Sequence, residues 1–491
     1  MPIIKPYRTQ VDVQAWTPQG AYYHRDLMGD LKTIQTSKTT TQPYGTFTLT
    51  FTMREDAGGS WADKLPFRTY VEMCAGVGRG TPPILMRGLL DEPGQTLTMP
   101  AAPTGPQREV TVSGRDLGAI LTDWQILYLW GIDPMALYLE ANMQAGDALQ
   151  AQLGVSAGEQ RATVLLNAFI TKLVNGHAVQ GLQTALPVPA FTPQIAIPEA
   201  YRVNFLSLQP WQGSYSNFLD YFASPPWGED FVFDAPEGPQ IIVRQTPYKN
   251  YVTGQYPLPY GGTPTENGFF PDITIAAGDV ADHDLAINSG DQVYTYYSTT
   301  PDLASSLAQS YAQFFYVSPG TQIQTTSVSK GQIQTQTQTF ATRTASPTTA
   351  TSATPTVQTS VAQARTPGSN PYYDVAKANI WGIRPLQLTT PWVSTLQQVF
   401  GTDAQAQVAA LNTWLVNVFA DNDKFVSGTL RVHGHEKYTV GRYAVMEPGA
   451  VASYPRRWEA YLQQVDHTID IASNGATWTT DLGVIRGRVR A

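Results

Sequence analysis

The chain has 491 residues, of which 42% are hydrophobic and only 14% charged, with a formal net charge of -8 and a single cysteine. At roughly 100–200 residues per unit, that length makes room for about three to four units. The acidic balance argues against a nucleic-acid clamp, and one cysteine excludes an internal disulfide framework or a cysteine-built metal cage.

With 25 Tyr, 11 Trp, 40 Gly and 36 Pro, the composition suits a β-rich protein that buries surface against partners. The opening MPIIKPYRTQ is too short and polar for a signal peptide. No apolar run reaches the roughly 18 residues that span a bilayer, so a soluble product of a reducing cytoplasm is expected.

In chain order, VDVQAW, TFTLTF and REVTVSG alternate apolar and polar positions, the period of half-buried strands. Gly and Pro separate these runs, and together they make a first β unit over residues 1–117. Residues 118–200 read as a helical insert. Within it Val164, Leu165, Ala168, Phe169, Lys172 and Leu173 follow helical spacing, with Gly176 as the expected stop. Residues 180–198 are Pro-punctuated and read as irregular.

Residues 201–270 read as a small α+β domain, the helix YSNFLDYFAS followed by a hairpin of FVFD and QIIVRQTPY. A second β unit joins residues 271–320, with a Tyr-rich strand in QVYTYYSTT, to residues 371–491. Between them, residues 321–370 hold the polar QIQTQTQTF and the low-complexity TASPTTATSATPTVQTS. That composition buries too little apolar area to fold alone, so an extended arm ordered by contact is expected. After the arm, Trp392, Leu396, Val399 and Phe400 begin a helix that runs on through residues 406–419. GTLRVHG, GRYAVM, YLQQV and TIDIA then repeat, as four strands, the order of TFTLTF, RTYVEM, ILMRGLL and REVTVSG.

Taken in order, TFTLTF with WADKLPFRTYVEM, VSGRDLGAILTDW, NFLDYFA with FVFD and IIVRQTPY, DVADHDLAINSGDQVYTYY, WGIRPLQLTTPW and the closing strands resemble the central baseplate hub of contractile-tailed phages. The base of type VI secretion spike proteins shares that fold. The Thr/Gln/Pro-rich stretch departs from the family pattern and reads as an insertion.

The resemblance implies a mainly β (α+β) fold: two tandem hub-type β-barrel domains with a helical insert and a smaller α/β domain between them. It implies a homotrimer whose six barrels mimic a hexameric ring. Its expected partners are the tail tube or tube-initiator ring, the central spike, baseplate wedge proteins, and the tape measure protein in the lumen. It implies a virion protein assembled in the host cytoplasm, without specific nucleic-acid binding, membrane span, cofactor or catalytic residues. The rival reading is a tail-tip-associated cell-wall-degrading enzyme, which needs paired carboxylates or a zinc set.

Several residues carry chemistry that could serve such a rival. His433 and His435 share a strand face in HGHE with Glu436, and a metal would draw on His467 as a third ligand; a surface or trimer contact is the favoured reading. Asp282, His283, Asp284 and Asp291 suggest acid/base work, but a turn rich in Asp explains them as well. Glu55 with Asp56, and Asp91 with Glu92, are adjacent in strands and so diverge from any one bond. Residues 76–80, GVGRG, lack a following helix and read as a hairpin loop rather than a phosphate cradle. Arg456, Arg457, Arg486, Arg488 and Arg490 are the one positive concentration, expected to dock an acidic partner or another subunit. Cys74 reads as a small buried hydrophobe.

Overall fold

Period-two alternation builds the first strands as expected. In β4 (Thr46–Thr52), below, Phe47, Leu49 and Phe51 are buried while threonines alternate outward. The structure is a computed structural model, and it describes residues 9–52, 59–78, 80–91, 109–126, 161–197, 213–257, 270–288, 292–301, 322–329, 332–339, 372–390, 404–451, 456–472 and 475–490.

The first segment supplies β1 (Thr9–Trp16), β2 (Tyr22–Tyr23), β3 (Leu31–Thr39), β4, β5 (Tyr70–Val77), β6 (Ile84–Leu90) and β7 (Glu109–Asp116). The middle segment opens with the helix Ala119–Asp123 and β8 (Gln125–Ile126). The helix Ala162–Phe169 does not stop at Gly176. It continues as a π-helix, Ile170–Val179, and then Gln180–Gln183. Tertiary packing overrides the glycine signal: Leu165, Leu166, Phe169, Ile170 and Val174 are buried, whereas Lys172 is exposed.

Residues 180–198 are not wholly irregular either. β9 (Thr192–Ala196) carries Pro193, and an edge position tolerates it. Then come β10 (Gly213–Ser214) and the helix Tyr215–Ala223, whose N-cap Ser214 accepts the Asn217 N–H at 3.2 Å. β11 (Gly228–Ala235) and β12 (Gly238–Gln245) form the expected hairpin, and β9 adds to β12 in parallel.

The remaining strands are β13 (Ile273–Ile275), β14 (Val280–Ile287), β15 (Tyr296–Pro301), β16 (Gln322–Ser329), β17 (Gln332–Thr339), β18 (Pro385–Thr390), β19 (Val426–His433), β20 (Tyr443–Met446), β21 (Trp458–Ala472) and β22 (Gly475–Val489). β15 leaves the large sheet and pairs in parallel with β18. The helix Ala404–Phe419 carries an apolar stripe of Leu411, Trp414, Leu415, Val418 and Phe419, all buried in the same middle core as Tyr297 and Leu388 of that sheet. In the polar stretch, β17 pairs antiparallel with β16 of its own chain. Residues 340–371 and the start of the predicted helix (Trp392 to Phe400) lie outside the described residues.

YLQQV and TIDIA are not two strands. Both belong to β21, a single strand of 15 residues whose register shifts between Glu459 and Tyr461 and again between Leu462 and Gln464. A bulge changes which side chains face inward, and this mimicked a strand break in the sequence.

One sheet of thirteen strands runs through the molecule in the order β13-β20-β21-β3-β4-β7-β6-β5-β1-β22-β19-β14, with β2 on β1 and a further β21–β22 pairing. Two six-strand paths lie within it: β1-β5-β6-β7-β4-β3, the first lobe, and β13-β20-β21-β22-β19-β14, the second lobe. Numbered in chain order within each path, both read one-four-five-six-three-two. Neighbours are antiparallel throughout, except that β13 runs parallel to β20 where β1 runs antiparallel to β5. Each lobe has its own apolar core, and a third core gathers the helices between them.

Candidate functional site

The site is the junction where β21 and β22 leave the second lobe and complete the first. Both strands are 15 residues long, about three times the usual strand, and serve two cores. Near the base, Trp458, Ala460 and Leu462 face the second-lobe core. Toward the tip, Ile469 and Trp478 sit in the first-lobe core. There Gln464 to Asp470 pair antiparallel with Thr39 to Thr33 of β3, and Ala476 bridges to Thr9 of β1. The pairings β3-β4-β7-β6-β5-β1-β22-β21-β3 therefore close a circuit.

His467 stands at the crossover and is buried. Its Nδ1 accepts the Trp478 indole N–H at 3.2 Å and lies 2.8 Å from Thr480 Oγ1. Burial pushes its pKa down to about 4, so the ring is neutral at physiological pH. The glycine of HGHE is held by the same indole. A Cβ on Gly434 would lie 1.9 Å from the Trp478 ring, and the Gly434 N–H donates to the Trp478 carbonyl at 2.8 Å.

The base of β21 is buried on its other face too, and there the side chains are charged or phenolic. Fully buried Arg244 of β12 donates to Glu229 of β11 at 2.8 Å, and the Tyr461 hydroxyl donates to Glu229 at 2.7 Å. Arg244 also donates to the Gly441 carbonyl. Burial raises the Tyr461 pKa well above its ordinary value, so the phenol stays a donor. Beside them, Glu459 accepts from Arg488 at 2.7 Å and from Lys249 at 3.2 Å. Lys249 stacks 4.1 Å over the Tyr443 ring.

A similar brace ties the β11–β12 turn to the first lobe. Lys38 of β3 reaches Asp116 at 2.7 Å and Asp234 at 3.4 Å. Burial opposes the lysine charge, but the two carboxylates outweigh it and raise its pKa. Arg87 of β6 donates to the Ala235 carbonyl at 3.1 Å. The β11–β12 hairpin thus touches everything: Phe231 and Ile242 point into the second-lobe core, Val232, Ile241 and Val243 into the helical core, and its turn meets the first lobe.

No family model matches the chain, and no curated protein matches it significantly. Among solved structures it is similar to a tail protein of Neisseria meningitidis MC58, at 12% identity and TM-score 0.43 over 98% of this chain and 97% of that one. It is similar to the 43 kDa tail protein of prophage MuSo2 from Shewanella oneidensis, at 11% identity and TM-score 0.42 over 97% of each chain. A third likeness is to the E. coli c3393 protein, a type VI secretion system component, at 8% identity and TM-score 0.34 over 94% of this chain and 74% of that one.

The terminal arginines are not a surface patch. Arg486 and Arg488 are 3% and 8% exposed, because β22 turns them under the middle domain. Arg486 donates to Asn422 and to the Val418 and Lys249 carbonyls and sits 4.1 Å over the Phe425 ring, with burial lowering its pKa. Arg456 and Arg457 are exposed, and Arg490 lies 3.9 Å from Asp272.

In HGHE, His433 is exposed, the Lys437 N–H donates to His435 Nδ1 at 3.2 Å, and Glu436 accepts the Val77 N–H of β5 at 3.2 Å. Glu436 is therefore a link between lobes. Among the described residues no group of three or more His, Cys, Asp or Glu is placed to hold a metal ion.

Asp282, His283 and Asp284 lie on strand β14 rather than in a turn, opposite Arg431, Leu430 and Thr429. Asp91 pairs with Arg115 at 2.9 Å, while Glu55, Asp56, Glu92 and Asp291 lie outside the described residues. GVGRG does sit at the β5–β6 hairpin, with Gly78 at φ +118 and Arg79 outside the described residues. Cys74 is only half-buried, on the face of β5 opposite the core residues Met73 and Ala75, and burial pushes its thiol up to about 11.

The sequence reading missed Glu229, Arg244, Lys249, Glu459 and Tyr461. For Arg244 and Glu459 a signal was present: a charge inside an otherwise apolar strand, as in QIIVRQ and WEAYLQQV, has to find a partner when the strand is buried. Among the described residues no helix is long and apolar enough to cross a membrane.

Proposed function

We propose that this chain is the structural hub of a phage tail baseplate. Three copies form a ring with pseudo-six-fold symmetry, each contributing two barrel-like lobes. The ring joins a six-fold tail tube to a three-fold central spike and encloses the lumen crossed during genome ejection. Its role is mechanical rather than catalytic.

The observation that carries this reading is the shared strand order of the two lobes. A six-fold partner meets three chains on equal terms only if each chain presents two like surfaces, and a closed ring needs matching interfaces at every step. Two further features support it. The shared hairpin and the buried charge braces hold the lobes in one fixed relation, which an adaptor that transmits force requires. The net charge of -8 suits a conduit that repels a phosphate backbone instead of gripping it.

Multi-angle light scattering on the purified protein, followed by electron microscopy of the particle, tests the proposal. A mass of three chains and a ring with six similar densities around a lumen are expected. A monomer at micromolar concentration, or a particle without that repeat, overturns it.

A further inference from the structure

The buried carboxylates of the braces each meet a cation: Asp116 meets Lys38, Glu229 meets Arg244, and Glu459 meets Arg488 and Lys249. Asp230 of β11 meets a second carboxyl instead. It is 7% exposed and shares a hydrogen bond with Asp220, which sits exposed in the last turn of the helix Tyr215–Ala223. Burial, then Asp220, then Glu229 push the Asp230 carboxyl well above the usual carboxylate range.

The surroundings add oxygen rather than positive charge. Strand alternation puts Asp230 and Gln245 on the face of the β11–β12 hairpin that carries Val232, Ile241 and Val243 into the helical core. Gln245 pairs with Gly228, so it stands diagonal to Asp230 on that face, within reach of a long side chain. The helix end covers the same corner, since a Cβ on Gly228 would lie 2.6 Å from the Ala223 Cα. Gln245 is 1% exposed, and among the described residues its Oε1 and the Asp230 Oδ2 are buried atoms without a hydrogen-bond partner. The last turn of the helix holds no basic residue, and its negative dipole end faces this corner.

We propose that Asp220, Asp230 and the side-chain carbonyl of Gln245 bind a hard divalent cation of the calcium or magnesium class. The donors are all oxygen, which suits such an ion and not a soft transition metal. Water completes the coordination shell on the solvent side, where Asp220 is exposed. Two carboxyls in contact cannot both stay ionised without a positive partner, and the ion takes the place of the proton they otherwise share. With two carboxylates and one amide as protein ligands the affinity is modest, and half-saturation is expected at roughly 0.1–1 mM. The bound ion ties a helix of the middle domain to the one hairpin that touches both lobes.

Equilibrium dialysis of the EDTA-treated protein against calcium and against magnesium tests the site, with melting temperature as a second readout. One ion per chain is expected for at least one of the two metals, and its binding should raise the melting temperature at saturation. Asp230→Asn and Asp220→Asn are each expected to weaken binding by roughly tenfold or more and to remove the rise. Asp220 is exposed, so its variant keeps the test decisive if Asp230→Asn does not fold. Asp282→Asn, on the exposed strand β14, is expected to change neither readout. If neither metal binds in this range, or if binding and stabilisation survive Asp220→Asn unchanged, the site is overturned and a shared proton is what joins the two carboxyls. These outcomes do not depend on how many chains assemble, so the hub reading stands or falls separately.

Discussion

The first lobe and the second share a strand order but not a way of finishing it. The first borrows two strands from elsewhere in the chain, and its core is completed by Ile469 and Trp478 from a segment more than three hundred residues away. The second is made of its own strands, and its base is clamped by buried charges to the middle domain. Fold repetition therefore does not imply repeated energetics. Both lobes are braced to the β11–β12 hairpin by buried charges, but only the first also depends on a borrowed apolar insertion.

That contrast can be broken from either side. Arg244→Met leaves Glu229 buried without its cation, and removal of one partner from a buried pair costs about 3–5 kcal/mol. Denaturant unfolding is expected to show that loss, with hydrogen exchange rising first in β11, β12 and the base of β21. Adding Glu229→Gln should return much of the stability, because the uncompensated charge is gone.

Ile469→Ala attacks the other lobe. Truncating a fully buried Ile costs about 2–5 kcal/mol, and exchange is expected to rise in β3 and β4 while the β11–β12 hairpin stays protected. Equal loosening of both regions would mean that the lobes are not energetically distinct.

A pH titration sharpens the comparison at the crossover. His467 has its pKa depressed to about 4, against an unfolded value of about 6.5. Between those values the unfolded chain binds a proton that the folded chain refuses. Stability is therefore full above about pH 6.5 and falls as pH drops toward 4, by roughly 2–3 kcal/mol from this residue. His467→Gln is expected to flatten that part of the profile, as read by melting temperature against pH. The smallest effect belongs to Arg431→Ala. Arg431 and Asp481 pair at 2.8 Å, but both are solvent-exposed, so the melting temperature is expected to stay within error.

Local periodicity made β4, the helix Tyr215–Ala223 and the β11–β12 hairpin legible, because each follows one clear period over its own length. The shared order of strands was also partly visible, through TFTLTF against GTLRVHG and RTYVEM against GRYAVM. Long-range features were not. No local signal says that Gln464 lies beside Thr39, or that Arg486 passes under aromatic rings instead of reaching solvent. The stop expected at Gly176 failed because a glycine costs a helix only about 1 kcal/mol, less than the burial of Val174, Ala178 and Val179 returns.

The borrowed hairpin also sets an order of events during synthesis. β1 to β7 leave the ribosome long before β21 and β22, so the amino-terminal lobe must wait with an unfilled slot in its sheet while the rest of the chain is translated. Until then β3 offers an unpaired edge to any strand nearby. Nascent chains released too early would carry that edge with them, and the protein would be most prone to aggregate before the hairpin arrives.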